Sequence, residues 1–364
     1  MHSSIFFFDS RAIQINEIGR IKNHADEFEY PILDFAREWL SPSIKKFEIQ
    51  TSGSTGTPKK ITLAREQIKE SIKLTKDFFN LKPGQVALLC LDTNFIAGRM
   101  MIFRAIEIGL DLVCAPPVAN PLEHIDCASP ISFAALVPYQ LESILKSPSS
   151  IARLNKIEKV ILGGAKVSPS LIERIQPLPT QFYETYGMTE TITHVAIRKL
   201  NPPENNFTAL PGVSFSTDNR NCLVIRATHL GSNSIITNDV VELSGSKSFK
   251  LIGRADNIIN TGGVKVSPEA LEDKIESILS PFLDGKDFFI AGVNDPAFGQ
   301  KVVLFMESAP LQEPDKNKIL SQLKLHLEKW EVPKDIICVP LFKKTESGKV
   351  NRLETIKSIP ALSS

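Results

Sequence analysis

The segment Thr51-Ser52-Gly53-Ser54-Thr55-Gly56-Thr57-Pro58-Lys59-Lys60 gathers the groups that hold an anion. Glycines let backbone amides close on phosphate oxygens, hydroxyls add donors, and lysines add charge. It is not a Walker A loop, because Lys59 is followed by Lys60 rather than Ser or Thr. A flexible surface loop has the same composition, so the segment alone fits both readings. Tyr186-Gly187-Met188-Thr189-Glu190-Thr191 offers a hydroxyl for a phosphate at Thr189 and a carboxylate for a metal at Glu190. Mg²⁺ suits such a site, since it takes one or two carboxylates and fills its shell with substrate phosphates. A helix N-terminus with an ordinary acidic first turn looks the same. Leu162-Gly163-Gly164-Ala165 ends an apolar run. Two glycines there would let a flat ring lie against the backbone, where α/β sheets bind ligands, but a plain strand-to-helix turn needs no ligand.

Three further places carry weaker signals. Asp239, in Ile236-Thr237-Asn238-Asp239, could accept from ribose hydroxyls or could close a hairpin. Gly253-Arg254-Ala255-Asp256 precedes Asn260-Thr261-Gly262-Gly263, a pattern that fits a hinge or a simple linker. Lys349 lies in the basic run Lys343 to Arg352, which by composition is a solvated face. The histidines show no paired metal-ligand spacing, and neither G-x-S-x-G nor G-x-G-x-x-G occurs, so hydrolase and dehydrogenase readings lose their main supports.

The elements that must position these groups alternate. Apolar runs at Gln85–Leu91, Asp111–Ala115, Phe133–Val137, Lys159–Leu162 and Gln181–Glu184 read as strands. Between them, Ala64–Phe79, Ile96–Leu110, Pro138–Leu145 and Pro169–Ile175 read as helices, which implies a parallel sheet with crossover helices. A short strand at Ile5–Phe8 and a helix around Ile32–Leu40 precede them. After the polar break at residues 201–206 the chain turns β-rich, with strands at Cys222–Arg226, Ile235–Ile236 and Val240–Leu243. From Gly253 a compact α+β unit follows: helix Pro268–Leu279, strands Phe288–Val293 and Lys301–Met306, helix Lys316–Trp330 and strand Ile336–Val339.

Bulk composition narrows the partners. Lys plus Arg number 42 against 41 Asp plus Glu, so nothing favours a nucleic acid or an anionic membrane as partner. The five cysteines (Cys90, Cys114, Cys127, Cys222, Cys338) are odd in number and form no C-x-x-C pair, as expected of buried thiols in a reducing compartment. No run approaches 18 apolar residues and Ile5–Phe8 lacks a basic flank, so a cytoplasmic location is expected.

Taken in order, TSGSTGTPK, LGGA, YGMTE, Asp239, GRADNIINTGG and TESGKVNR resemble the motif series of the acyl-adenylate-forming, or AMP-binding, superfamily. The resemblance runs from about Thr51 to Arg352. It implies an α/β fold: a large N-terminal adenylate-forming domain, about 1–253, with a smaller mobile α+β domain, about 254–364, that carries the catalytic lysine. It also implies ATP, Mg²⁺ and coenzyme A as reactants beside a small carboxylic acid. Thr51, Ser52, Gly53, Ser54, Thr55, Gly56 and Lys59 would handle the β- and γ-phosphates. Gly163, Gly164, Ala165, Tyr186 and Gly187 would form the nucleotide and acyl pocket. Thr189 would contact the α-phosphate, Glu190 would hold Mg²⁺, and Asp239 with Arg254 would bind ribose. Asp256 would be the hinge, Gly262 and Gly263 would border the pantetheine tunnel, and Lys349 would catalyse adenylation. Only 50 residues precede the phosphate loop, fewer than relatives usually carry, so a shortened N-terminal subdomain is expected. Ile96-Ala97-Gly98-Arg99-Met100-Met101, Thr193-His194 and Asn260 to Lys265 resemble the compact bacterial o-succinylbenzoate–CoA ligases of menaquinone biosynthesis. Phe95 then stands where relatives place a gate beside the acyl pocket, and Arg99 and His194 become candidates for the acid's second carboxylate. Another acyl- or aryl-CoA synthetase, an enzyme that loads a carrier protein, and a nucleotide-binding module without turnover remain as alternatives, and oligomeric state stays open.

Overall fold

A computed structural model of the chain describes residues 4–9, 11–21, 27–50, 60–125, 130–231, 234–345, 350–359 and 362. The candidate phosphate loop (Thr51, Ser52, Gly53, Ser54, Thr55, Gly56 and Lys59) and Lys349 lie outside these residues, as does Cys127. Contacts divide the chain into two units: Met1–Val167, Leu171–Ser214 and Ile225–Ile235 form the first, and Ser168–Ser170, Phe215–Val224 and Ile236–Ser364 the second. The segment 236–253 is thus grouped with the C-terminal residues, earlier than the boundary the motifs suggest.

The first unit opens with β1 (Ile5–Phe8), β2 (Arg11–Gln14) and helix α1 (Glu29–Leu40), then the hairpin β3 (Lys46–Gln50) and β4 (Lys60–Ala64). Helix α2 (Arg65–Phe79), β5 (Val86–Leu89), α3 (Ile96–Ile108) and β6 (Asp111–Cys114) follow. Next come β7 (Ile131–Leu136), α4 (Pro138–Ile144), α5 (Pro148–Leu154), β8 (Ile157–Leu162), α6 (Pro169–Ile175), β9 (Gln181–Gly187), β10 (His194–Lys199) and β11 (Phe207–Ala209). Strands β1, β6, β5, β7, β8 and β9 are parallel neighbours in that order. β10 and β11 then continue antiparallel beside β9. Buried strands such as ISFAAL in β7 are apolar almost throughout because helices cover both faces. A core of Leu88, Leu136, Val160, Leu162, Leu171 and Phe182 lies on one side of the sheet's centre.

Helix α3 is buried on most of its surface. Gly98 permits this: a Cβ there would stand 2.4 Å from the Asp92 carbonyl oxygen. The hairpin β3–β4 escapes notice in the sequence, being short and half polar. Its last register pair, Gln50 opposite Lys60, defines the ends from which the 51–59 segment departs. Arg65 anchors its base. The guanidinium donates to the carbonyls of Ile44 (2.6 Å), Trp39 (2.7 Å), Ser41 (2.9 Å) and Glu38 (3.1 Å) and stacks over the Trp39 ring.

β12 (Val213–Thr217) and β13 (Cys222–Ala227) contribute residues to both units. In the second, β14 (Ile235–Leu243) is one continuous strand, where two short ones are expected from the sequence. It pairs antiparallel with β15 (Ser248–Arg254), through a register shift at Val240/Val241. β16 (Ile259–Thr261) and β17 (Val264–Val266) form a tight hairpin. Helix α7 (Pro268–Leu283) starts with Pro268 in its first turn and Ser267 capping the Ala270 amide, and runs past the expected end at Leu279. β18 (Phe288–Asp295), β19 (Gly299–Glu307), helix α8 (Glu313–His326), β20 (Asp335–Val339) and α9 (Arg352–Lys357) complete the unit. Helix α8 stops short of Trp330, the expected end, because the chain turns extended at Leu327. Among the described residues, no helix is long and apolar enough to cross a membrane.

Arg65→Ala would leave several carbonyls without their donor, each worth about 1–3 kcal/mol when buried. Urea denaturation should therefore show the variant less stable by about 3 kcal/mol or more. A loss within experimental error would mean that water replaces the guanidinium.

Candidate active site

β8 and β9 pair in parallel with Leu162 opposite Glu184. Gly163-Gly164-Ala165 and Tyr186-Gly187-Met188-Thr189-Glu190 therefore leave the sheet at one carboxyl edge, where open α/β sheets bind ligands. Gly163 lies so close to β9 that a Cβ would meet Thr185 Oγ1 at 2.8 Å, and Gly164 has φ +85°. Thr185 Oγ1 donates to the Leu162 carbonyl (3.0 Å), and buried Glu184 accepts the Val167 amide (3.1 Å). The first ties the end of β8 to β9, and the second ties the far end of the 163–167 segment to it. Arg198 faces the same carboxylate through Nε at 2.6 Å, and burial nonetheless raises the Glu184 pKa.

Past Tyr186, which is buried with its ring 5.8 Å from that of Phe207, the chain turns sharply. Gly187 sits opposite His194, and a Cβ on it would stand 2.4 Å from the Thr193 carbonyl oxygen. Ile192 adopts φ 71°, a strained conformation for a β-branched residue. Thr191 holds the turn, its Oγ1 accepting the Met188 amide at 2.9 Å and lying 2.7 Å from the Thr193 carbonyl oxygen. Thr189 and Thr191 bracket Glu190 in a single 3-10 turn, with Thr189 half-buried and Glu190 exposed.

Behind this turn lies a polar cluster inside the core. His194 Nε2 is 3.2 Å from Thr75 Oγ1, and its Nδ1 is 3.2 Å from Thr193 Oγ1. Arg104 Nη2 donates to the same Thr193 hydroxyl at 3.1 Å, and Nη1 points at Met101 Sδ. Arg104 is among the largest fully buried side chains, yet its Nε has no partner among the described residues. Burial alone lowers its pKa to about 10. Arg104 is missed in the sequence, where Arg99 draws attention first. The available signal was a second cation inside the apolar helix IAGRMMIFRAIEI. Arg99 has other work: it donates to the carbonyls of Thr93 (2.9 Å) and Glu48 (2.8 Å) and stacks over Phe35 at 3.9 Å. It braces β3 against α3. Phe95 is half-buried at the N-cap of α3.

In the second unit, Asp239 and Arg254 are register partners and form an ion pair of 3.2 Å. Asp256, in the turn Ala255–Asn257, accepts from Arg254 (2.7 Å) and from Asn238 (3.3 Å). Burial opposes the charge on Arg254, but its hydrogen bond to Asp256 and the charge of Asp239 outweigh it, so its pKa is raised. Gly262 and Gly263 form the two-residue turn between β16 and β17, with φ 60° and 85°, as such a hairpin requires. Gly262 also packs against the rings of Phe298 and Trp330, each 3.4 Å from where a Cβ would be.

The model of the AMP-binding enzyme family matches residues 39–222, and that of the AMP-binding enzyme C-terminal domain matches residues 274–349. The chain belongs to the AMP-binding enzyme family. An acyl-CoA synthetase (AMP-forming)/AMP-acid ligase II-like protein from Dyadobacter fermentans is 36% identical with a TM-score of 0.63, over 94% of this chain and 97% of that one. ATP-bound MatB from Rhodopseudomonas palustris shares the fold with a TM-score of 0.74 at 20% identity, over 86% of this chain and 68% of that one. A 2-succinylbenzoate–CoA ligase from Staphylococcus epidermidis is 25% identical over 328 residues, which cover 83% of this chain and 67% of the relative. As an AMP-binding enzyme the chain has the expected architecture, a large α/β adenylate-forming domain followed by a smaller C-terminal one.

The buried histidine gives this family member a pH signature. Burial, and then the charge of Arg104, hold His194 well below its usual 6.5, so the folded protein keeps it neutral while the unfolded chain protonates. Stability must then fall as pH drops through 6.5. Thermal melts between about pH 7 and pH 5 should show His194→Gln losing less stability than the unsubstituted protein. Parallel curves would mean that His194 titrates normally.

Proposed function

We propose that the chain is an ATP-dependent carboxylate–CoA ligase that makes an acyl-AMP and then an acyl-CoA, with 2-succinylbenzoate (o-succinylbenzoate) as its acid. This places it in menaquinone biosynthesis, in the cytoplasm. The observation that carries the choice of acid is Arg104. A fully buried guanidinium with an unpartnered Nε, beside Thr193 and His194, lacks a counter-ion among the described residues. 2-Succinylbenzoate has two carboxylates, and when one is activated the other stays anionic. That second carboxylate supplies what Arg104 lacks, with a charge-assisted hydrogen bond as the anchor. The names of the relatives agree, several being 2-succinylbenzoate–CoA ligases.

In the first step a carboxylate oxygen of the acid attacks the α-phosphorus of ATP and pyrophosphate leaves. Two anions must approach in line, so catalysis rests on positioning and charge neutralisation. Glu190 is exposed and makes no ion pair among the described residues, which fits a cation that keeps water and phosphates in its shell. Mg²⁺ bound there would neutralise phosphate charge. Thr189 would donate to the α-phosphate, the 51–59 segment would cradle the departing pyrophosphate, and Lys349 would stabilise the transition state. Gly163, Gly164 and Ala165 would leave room for the adenine, while Asp239 and Arg254 would take the ribose. In the second step the CoA thiol attacks the anhydride carbonyl and AMP leaves, with Gly262 and Gly263 bordering the pantetheine. The assignment of residues 1–253 to adenylation and 254–364 to a mobile domain hinged at Asp256 belongs to the same proposal.

A panel of carboxylic acids in a CoA-dependent pyrophosphate assay tests the reading, and the mass of the product separates CoA from a carrier protein as acceptor. Arg104→Gln should raise the acid's KM roughly 10²-fold while leaving that of ATP nearly unchanged. Arg99→Ala should move both far less. Equal effects of Arg104→Gln on acid and ATP would remove the carboxylate subsite from Arg104. Glu190→Gln should weaken the magnesium dependence and slow adenylation by about 10²–10³. An unchanged magnesium titration would take Glu190 out of the site.

A further inference from the structure

The residues on either side of 346–349 are held more firmly than a solvated basic run would be. Lys344 and Val350 form an antiparallel bridge, and the Asn351 amide donates to the Lys343 carbonyl at 2.7 Å. The Lys343 amide in turn donates to Thr355 Oγ1 (3.0 Å), which is fully buried. Val350, next in sequence to Lys349, packs against the cluster of Phe289, Phe305, Val339 and Phe342. Asn351 caps α9 by accepting the Glu354 amide at 3.1 Å.

Arg352 then reaches back across the unit. Nη2 donates to Glu272 Oε2 at 2.9 Å, Nη1 lies 3.3 Å from the Ile290 carbonyl and 3.7 Å from Glu269 Oε1, and the guanidinium stands over the Phe289 ring at 5.7 Å. Glu272 completes its shell by accepting the Ile290 amide at 2.7 Å. Glu269 Oε1 also accepts from Asn257 Nδ2 at 2.5 Å, and Asn257 closes the turn that contains Asp256. A continuous polar network therefore runs from that turn, through the first turn of α7, to the residue three places after Lys349.

We propose that Arg352 is a positioning residue for Lys349: with Glu272 and Glu269 it locks the segment after the lysine to the turn that carries the hinge residue, so that both move as one piece. The inference rests on the adenylation role given to Lys349 above. An unpaired buried carboxylate would be costly, so the network persists only while Arg352 supplies its charge. Lys cannot replace it fully, because one ammonium does not span Glu272, Glu269 and the Ile290 carbonyl together. Burial pushes the Glu272 carboxyl up to about 7 in spite of Arg352, with Glu269 adding to the rise. Protonation of Glu272 as pH falls would weaken its pair with Arg352.

Single-turnover assays separate the two half-reactions. Arg352→Ala should slow acyl-AMP formation on the order of 10²-fold, the usual penalty for a misplaced catalytic group, while supplied acyl-AMP and CoA still give thioester at the wild-type rate. Arg352→Lys should fall between. Glu272→Gln keeps an acceptor for the Ile290 amide but no charge, so it guards against a merely unfolded variant. It should hold adenylation at its low-pH level and abolish the rise through about pH 7. Equal slowing of both half-reactions, or an unchanged pH profile in Glu272→Gln, would overturn the proposal. Lys349→Ala, run alongside, tells the two levels apart. If it abolishes adenylation while Arg352→Ala leaves the adenylation rate unchanged, the positioning role alone falls; if it leaves adenylation intact, the functional reading and the positioning role fall together.

Discussion

The parallel ladder between β8 and β9 is the constraint on which the site depends. With Leu162 opposite Glu184, the glycine segment after one strand and the YGMTE turn after the other end at the same level of the sheet. A slip of one residue would exchange the faces of every side chain on β9. Glu184 and Tyr186, now buried, would trade places with Tyr183 and Thr185, and the Val167 amide would lose its carboxylate. The close contacts follow from this register. Gly163 is needed because Thr185 stands where a side chain would be, and Gly187 because β10 folds back directly against it. Sequence composition, strand register and the shape of the ligand edge are thus one fact seen at three scales.

Arginines inside the first unit divide by what surrounds them. Arg65 is saturated by four carbonyls and an indole ring, and Arg99 by two carbonyls and a phenyl ring. Both close backbone gaps near the β3–β4 hairpin, and neither leaves its functional end idle. Arg104 is different. It is buried more deeply than either, with a thioether and one hydroxyl as its company. A buried cation of that kind is costly to maintain unless an anion joins it, which is why the proposed acid subsite rests on Arg104 and not on the other two.

That distinction was hidden from the sequence for a geometrical reason. Arg99 and Arg104 are five positions apart on one helix, so their side chains leave the axis about 140° from each other. Which direction faces the interior depends on how α3 packs, and an apolar helix such as IAGRMMIFRAIEI carries almost no stripe to reveal it. The turns after β8 and β9 were legible as turns because their chemistry is local: glycine reports what the backbone can approach. The central parallel strands were legible too, as continuous apolar runs. The hairpins β3–β4 and β16–β17 were not, since three to five half-polar residues show no period. β14 was expected in two pieces because its middle, Thr237-Asn238-Asp239, is polar, yet pairing with β15 carries the strand through it.

A net charge of +1 sets the terms for the proposed chemistry. Triphosphate, carboxylate and CoA are all anions, and a nearly neutral protein cannot gather them with its overall field. Each negative group must meet its own local counter-charge at short range, where a low dielectric makes the contact strong. Arg104 inside the core, Arg254 between two aspartates and Arg352 between two glutamates show three grades of that arrangement. The first has no carboxylate partner among the described residues. The other two are already matched by the chain's own carboxylates, so their charge is neutralised within the chain. In a protein of balanced charge, recognition and positioning are therefore told apart by whether the protein itself supplies the partner.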